Sequence, residues 1–135
     1  MKLTFVDTSG WIALVNISDS FHQKATKVYQ ARYAEGSRFV THQGIMLEVG
    51  NGLSSIRLRP MAIGLKNKLE KSTRYEQISI DEKLYEAGWS LYTERLDKDW
   101  GIVDCISFVL MKEFDISEAL TADKHFEQAG FIKLL

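Results

Sequence analysis

Asp99-Trp100-Gly101-Ile102-Val103-Asp104-Cys105-Ile106-Ser107-Phe108-Val109-Leu110-Met111-Lys112-Glu113-Phe114 is an apolar stretch with an acid at its entrance. From Ile102 to Phe114 it is long enough for three turns of buried helix. Asp is a mediocre residue inside a helix, and an acid is rarely buried without a partner. Two readings of Asp104 therefore compete. In one, the carboxylate serves the helix itself, because free backbone N–H groups and the helix dipole favour negative charge in the first turn. In the other, it faces a cation held jointly with acids from elsewhere in the chain.

Outward from this helix, strand and helix patterns alternate. Leu3-Thr4-Phe5-Val6 is a short strand ending in Asp7, and Thr8-Ser9-Gly10 offers helix-start chemistry before Trp11-Ile12-Ala13-Leu14-Val15. Ser20 is placed to cap a helix with Phe21, Ala25, Val28 and Tyr29 on one face, closed by Gly36. Arg38–Thr41 is a second strand. The spacing then predicts a helix over 43–57 with Ile45, Val49, Leu53 and Ile56 inward and Glu48 beside that stripe. Pro60 suits the first turn of the next helix, with Met61, Leu65 and Leu69 on one face and Lys66, Lys68 and Lys71 on the other. Tyr75–Ile80 is a third strand. A helix over 81–96 is capped by Asp81 and turns Leu84, Ala87, Gly88, Leu91 and Leu96 inward. Residues 118–122 form a fourth strand before Asp123, a short helix covers 124–128, and residues 131–135 form a fifth strand. Such alternation predicts an α/β fold with a parallel sheet covered by helices on both faces.

The 135 residues are expected to make a single domain, 1–135, able to bury a real core. Seventeen Lys+Arg against eighteen Asp+Glu give a net charge of −1, so no global field drives the chain onto a polyanion. Binding to one then needs a local patch. No apolar run approaches a membrane span, and no basic segment with a signal-type apolar core follows Met1, which predicts a cytosolic protein. The single cysteine, Cys105, cannot form an internal disulfide and reads as a buried, inert thiol.

In open α/β sheets ligands bind beyond the carboxyl ends of the strands. Asp7 follows the first strand, Asp123 the fourth, and Glu48 and Asp104 lie on helices able to lean over that edge. Four gathered carboxylates repel one another unless a divalent cation neutralises them. Hard oxygen donors select Mg²⁺ or Mn²⁺, and such a site suits hydrolysis of a phosphodiester. Singly, each acid has a plainer reading: Asp7 and Asp123 as helix caps, and Glu48 as a solvated helix residue.

Asp7-Thr8-Ser9-Gly10-Trp11, Leu47-Glu48-Val49, the segment from Asp97 to Ser107 and Thr121-Ala122-Asp123-Lys124-His125-Phe126 together resemble the PIN-domain nucleases, and among them the VapC-type toxins of bacterial toxin–antitoxin pairs. The resemblance runs from end to end. It implies a three-layer α/β/α sandwich around a mainly parallel sheet of about five strands, and a Mg²⁺- or Mn²⁺-dependent endoribonuclease. The matched acids are Asp7, Glu48, Asp104 and Asp123. Asp7 and Asp104 are implied as direct metal ligands, with Glu48 and Asp123 binding through water or positioning the attacking water. Thr8 and Ser9 either hold Asp7 or the substrate, or cap the first helix. Ser107, three residues after Asp104, falls on the same helical face. Where the family often has Ser-Leu-Thr before the third acid, this chain has Gly101-Ile102-Val103, so two hydroxyls are missing there. His125 and Asp99 read as peripheral.

Arg57, Arg59, Lys66, Lys68, Lys71 and Arg74 crowd one segment whose only acid is Glu70. This segment either holds RNA phosphates or is the solvated face of an amphipathic helix. Met46, Leu53, Ile56, Leu58, Met61 and Ile63 exceed what one inward stripe requires, and the resemblance implies a homodimer and a cognate antitoxin as partners. Two other classes remain: a non-catalytic PIN-like domain that binds RNA or protein, and a receiver-like signalling domain. A receiver wants an acidic pair after its first strand, whereas here a single Asp7 is followed by Thr8.

Overall fold

The computed structural model describes residues 2–135. The chain runs β1 (Leu3–Val6), α1 (Thr8–Val15), α2 (His22–Ala34), β2 (Arg38–His42), α3 (Gln43–Gly52), α4 (Arg59–Glu70), β3 (Tyr75–Ile78), α5 (Glu82–Glu94), α6 (Ile102–Glu113), β4 (Glu118–Leu120), α7 (His125–Gln128) and β5 (Ile132–Lys133). The five strands form one sheet in the order β3-β2-β1-β4-β5, and every pairing is parallel. Right-handed crossovers then place α1 to α4 on one face and α5 to α7 on the other. The helices' contacts agree: α1 touches α2, α3 and α4, α3 touches α4, α5 packs on α6, and α6 meets α7. This is the expected α/β/α arrangement.

The strand order reverses at β1, which pairs with β2 on one side and with β4 on the other. A crevice must open there at the carboxyl ends, because the chain leaves the two neighbouring strands toward opposite faces. Phe5, Val6, Phe39, Val40, Ala119 and Leu120 fill the sheet's core, while α6 buries Cys105, Ile106, Phe108, Leu110 and Met111 against it. Burial pushes the Cys105 thiol up to about 11, as expected of an inert cysteine.

Several boundaries differ from those expected. Ser20 does not cap α2; the Asp19 carboxylate accepts the Phe21 N–H at 2.8 Å and the helix begins at His22. Helix α3 stops at Gly52 rather than Arg57, because Gly50-Asn51-Gly52 are three poor helix formers in a row. Ile56 is consequently not inward but 94% exposed. Helix α5 ends at Glu94 and leaves Leu96 89% exposed, also against expectation. The Asp81 cap is present, its carboxylate accepting the Leu84 N–H at 2.8 Å. Strands β3, β4 and β5 are shorter than the apolar runs that announce them. For β4 the reason is its partner: β1 gives way to α1 after Val6, so the ladder ends at Leu120.

Candidate active site at the strand ends

Asp7 leaves the central strand into the first turn of α1. It occupies the N-cap position but makes no side-chain cap hydrogen bond, so capping is not what its carboxylate does. The residue is 6% exposed. Burial pushes its carboxyl up to about 7; the Thr8 N–H and the Thr121 hydroxyl oppose the shift, and the charges of Asp104 and Glu48 add to it. The acids from β1, α3 and α6 therefore share one electrostatic environment.

A chain of hydroxyls fixes the Asp7 carboxylate. Thr121 Oγ1 donates its proton to Asp7 Oδ2 at 2.9 Å and accepts the Asp123 N–H at 3.0 Å. Ser9 Oγ must therefore donate to Thr121 Oγ1, 3.1 Å away, while it accepts the Ala122 N–H at 3.0 Å. Thr8 serves the other side, its Oγ1 donating to Glu48 Oε1 at 2.6 Å. The two hydroxyls after the first acid thus tie α1 to the loop after β4 and to α3. Neither caps the helix.

Asp104 serves its own helix and also faces His125 at the start of α7. In the first turn of α6, its Oδ2 accepts the Gly101 N–H at 3.0 Å, and the same oxygen lies 3.1 Å from His125 Nδ1. Burial raises its pKa, the Gly101 N–H lowers it, the charge of Asp123 raises it and His125 lowers it. Asp123 Oδ1 lies 3.3 Å from the same His125 nitrogen. His125, which reads as peripheral from sequence, instead sits between two of the acids. The aromatic wedge of Trp100, Phe108 and Phe126 holds this arrangement: Phe108 meets Trp100 at 4.9 Å and Phe126 at 5.0 Å between ring centroids, both edge-on.

Ser107 lies elsewhere. It is fully buried, donates to the Val103 carbonyl at 2.9 Å and meets His42 Nε2 at 2.8 Å. His42 Nδ1 accepts the Gly44 N–H at 3.0 Å, which makes Nε2 the donor to Ser107. Burial pushes His42 down to about 4, so the ring is neutral and braces β2 against α6. None of the hydrogen bonds of Ser107 reaches an acid. Asp99 is exposed and is not among the clustered acids.

The basic residues are individually engaged rather than gathered. Arg59 donates to the Ser54 carbonyl at 2.9 and 3.1 Å, and Lys66 pairs with Glu70 one turn on. Lys68 Nζ lies over the rings of Tyr29 and Tyr75, 5.7 and 6.0 Å from their centroids, and Arg74 stacks on Tyr33 at 3.6 Å. Arg57 is exposed in the turn before α4.

Sequence reasoning missed Thr121, His125 and His42. The first two carry a legible signal: a hydroxyl two residues before, and an imidazole two residues after, an acid that follows a strand. His42 carries none, because its partner is 65 residues away.

With this geometry in view, the chain belongs to the PIN domain family, which it matches over residues 4–132. It is similar to the 23S rRNA-specific endonuclease VapC20 of Mycobacterium tuberculosis, with 26% identity over 133 residues that cover 98% of each chain. The crystal structure of M. tuberculosis VapC20, a sarcin–ricin loop cleaving toxin, superposes with a TM-score of 0.86 over 98% of both chains at 24% identity. That of VapBC2 from Rickettsia felis, bound to a DNA fragment from its promoter, superposes with a TM-score of 0.72 at 16% identity, over 97% of this chain and 96% of the other. At these identities the superpositions establish the fold.

Proposed function

We propose that the protein is a divalent-metal-dependent endoribonuclease, the toxin of a VapBC-type pair, acting in the cytoplasm as a homodimer with a cognate antitoxin. The reading takes residues 1–135 as a single domain. The observation that carries this reading is the convergence of Asp7, Glu48, Asp104 and Asp123 at the switch point of the sheet, with Asp7 buried and its pKa raised. The likeness to VapC20 supports RNA as substrate, and the likeness to VapBC2 supports an antitoxin partner. Among the described residues no helix is long and apolar enough to cross a membrane.

The donor set fits a hard divalent ion. Asp104, Asp123 and His125 can each bring a ligand atom to within 4.8 Å of the others. Among the described residues neither a lysine nor an arginine forms an ion pair with any of the four acids, which leaves their charge for a metal to balance. When bound, Mg²⁺ or Mn²⁺ supplies compensating charge and makes a coordinated water more acidic. Asp7 and Asp104 would hold the ion directly. Glu48, oriented by Thr8, and Asp123 would hold it through water or would position a water for attack on phosphorus. Thr121 and Ser9 keep the Asp7 carboxylate in one orientation, so that reorganisation is not needed on substrate binding.

The purified protein is expected to cut end-labelled RNA in Mn²⁺ or Mg²⁺ and not in EDTA. Asp104→Asn keeps an oxygen for the Gly101 N–H and so folds, yet lowers cleavage by about 10³-fold, or about 4 kcal/mol of barrier. Equal cutting by both proteins would assign the activity to a contaminant. Binding of RNA without metal-dependent cutting would favour the non-catalytic PIN-like alternative.

Arg57, Arg59, Lys66 and Lys68 are proposed to hold phosphates flanking the scissile bond. Reversing Lys66 and Lys68 to Glu is expected to weaken RNA binding and to lower the salt slope of log K by about 1.4, the counterions of two single-strand phosphates. An unchanged slope in a salt titration would make these lysines a solvated face.

A further inference from the structure

We propose that His125 is itself a ligand of the divalent ion, through Nδ1, and that this nitrogen biases the site toward Mn²⁺ over Mg²⁺. The inference rests on the metal-dependent reading above and adds a donor and a selectivity to it. His125 Nδ1 lies 3.1 Å from Asp104 Oδ2 and 3.3 Å from Asp123 Oδ1, so it faces the carboxylates of two different elements at once. Nδ1 and Asp104 Oδ2 are close enough to share a single ion as direct donors, with Asp123 reaching it through water, since Mn²⁺-type ions hold donors at about 2.0–2.3 Å.

The ring is aimed by backbone geometry. The His125 N–H donates to Asp123 Oδ1 at 2.9 Å, closing a tight turn that sets the imidazole beside that carboxylate. The next residue, Phe126, is fully buried and meets Phe108 at 5.0 Å and Phe5 at 6.2 Å between ring centroids. At the end of the same turn, Gln128 Oε1 accepts the Trp100 indole N–H at 3.0 Å, tying α7 to the loop that enters α6. The imidazole is therefore held against both acids by core packing on one side and by a part-buried hydrogen bond on the other.

An imidazole nitrogen discriminates between ions that carboxylates treat alike. Mg²⁺ demands oxygen in near-ideal octahedral geometry, whereas transition ions accept mixed nitrogen and oxygen donors, as the di-manganese carboxylate bundles do. For Nδ1 to serve as a donor atom, the imidazole must take the neutral tautomer that carries its proton on Nε2.

The test uses Mn²⁺ as the probe on the full chain. Pulsed electron-spin-echo spectra of the Mn²⁺-loaded native protein are expected to show modulation from a directly bound ¹⁴N, and His125→Asn to abolish it. Titration is expected to give about a tenfold or greater loss of Mn²⁺ affinity in His125→Asn with Mg²⁺ affinity changed by less than about threefold. Circular dichroism of the variant checks its fold, and the native spectrum needs no variant at all. Native Mn²⁺ without nitrogen coupling, or Mn²⁺ and Mg²⁺ affinities falling in parallel, overturns the proposal and leaves His125 as a hydrogen-bonding brace. If Mn²⁺ binding also ignores Asp7→Asn and Asp104→Asn, the metal-dependent reading falls with it.

Discussion

Asp7→Asn is expected to lose RNA cleavage and, stripped of metal at pH 8, to withstand more denaturant than the native chain. The reason is the cost of ionising a buried carboxyl. In the folded protein Asp7 titrates at about 7, against 3.8 for the free side chain. The native state therefore binds a proton more tightly than the unfolded chain, and stability is fully present below pH 4 and lost as pH rises through 7. The full shift is worth about 4 kcal/mol at pH 8. Asn escapes this cost but must house an amide NH₂ beside Thr121, so the net gain is about 2 kcal/mol. Asp104, shifted in the same direction, steepens the slope of the native protein.

Urea denaturation in EDTA at pH 4 and pH 8 checks the claim: the two chains converge at the lower pH and separate at the higher. Mn²⁺ then reverses the order. At 100 times its Kd the ion stabilises the native fold by about 2.7 kcal/mol, while the variant, short of one ligand, gains less. Equal stability of the two metal-free chains at both values of pH would show that Asp7 ionises without cost.

Gly10→Ala carries the largest expected loss of stability. A Cβ at this position of α1 would lie 2.1 Å from the Leu120 carbonyl oxygen and 3.0 Å from its carbon. That oxygen belongs to backbone and already accepts the Asp7 N–H at 3.2 Å, so it cannot yield without parting β4 from β1. We expect a loss of at least about 3 kcal/mol, the upper range for overpacking, and with it the approach of Thr121 to Asp7. Gly64→Ala in α4 is the matched control. Its Cβ meets nothing within 4 Å, and the helix gains about 0.5–1 kcal/mol. A Gly10→Ala chain as stable as the native would mean that α1 can shift along β1 without cost.

Much of this architecture was legible in the chain. The central strand announced itself because its buried apolar run ends in a polar residue, Asp7 after Val6. The four acids were legible because each sits at the end of a strand or on a helix beside its apolar stripe. Helix ends were harder. Ile56 and Leu96 continue their helical period, but local chemistry ends both helices earlier, at Gly50-Asn51-Gly52 and at Arg95. The contacts that organise the acids were the least legible, because Thr8 reaches Glu48 across 40 residues and Thr121 reaches Asp7 across 114. Periodicity reports what lies near in the chain, and these hydrogen bonds join what lies far apart.

That last separation has a bearing on how the protein is made. Asp7 leaves the ribosome early, but β4, which seats Thr121 beside it, is synthesised 114 residues later. At 5–20 residues per second this is an interval of about 6–23 s. For all of it β1 has β2 alone as a possible neighbour, and Asp123 and His125 do not yet exist. The acids at the strand ends are thus divided between Asp7 and Asp123, and their cluster cannot assemble until β4 and the turn after it have been made.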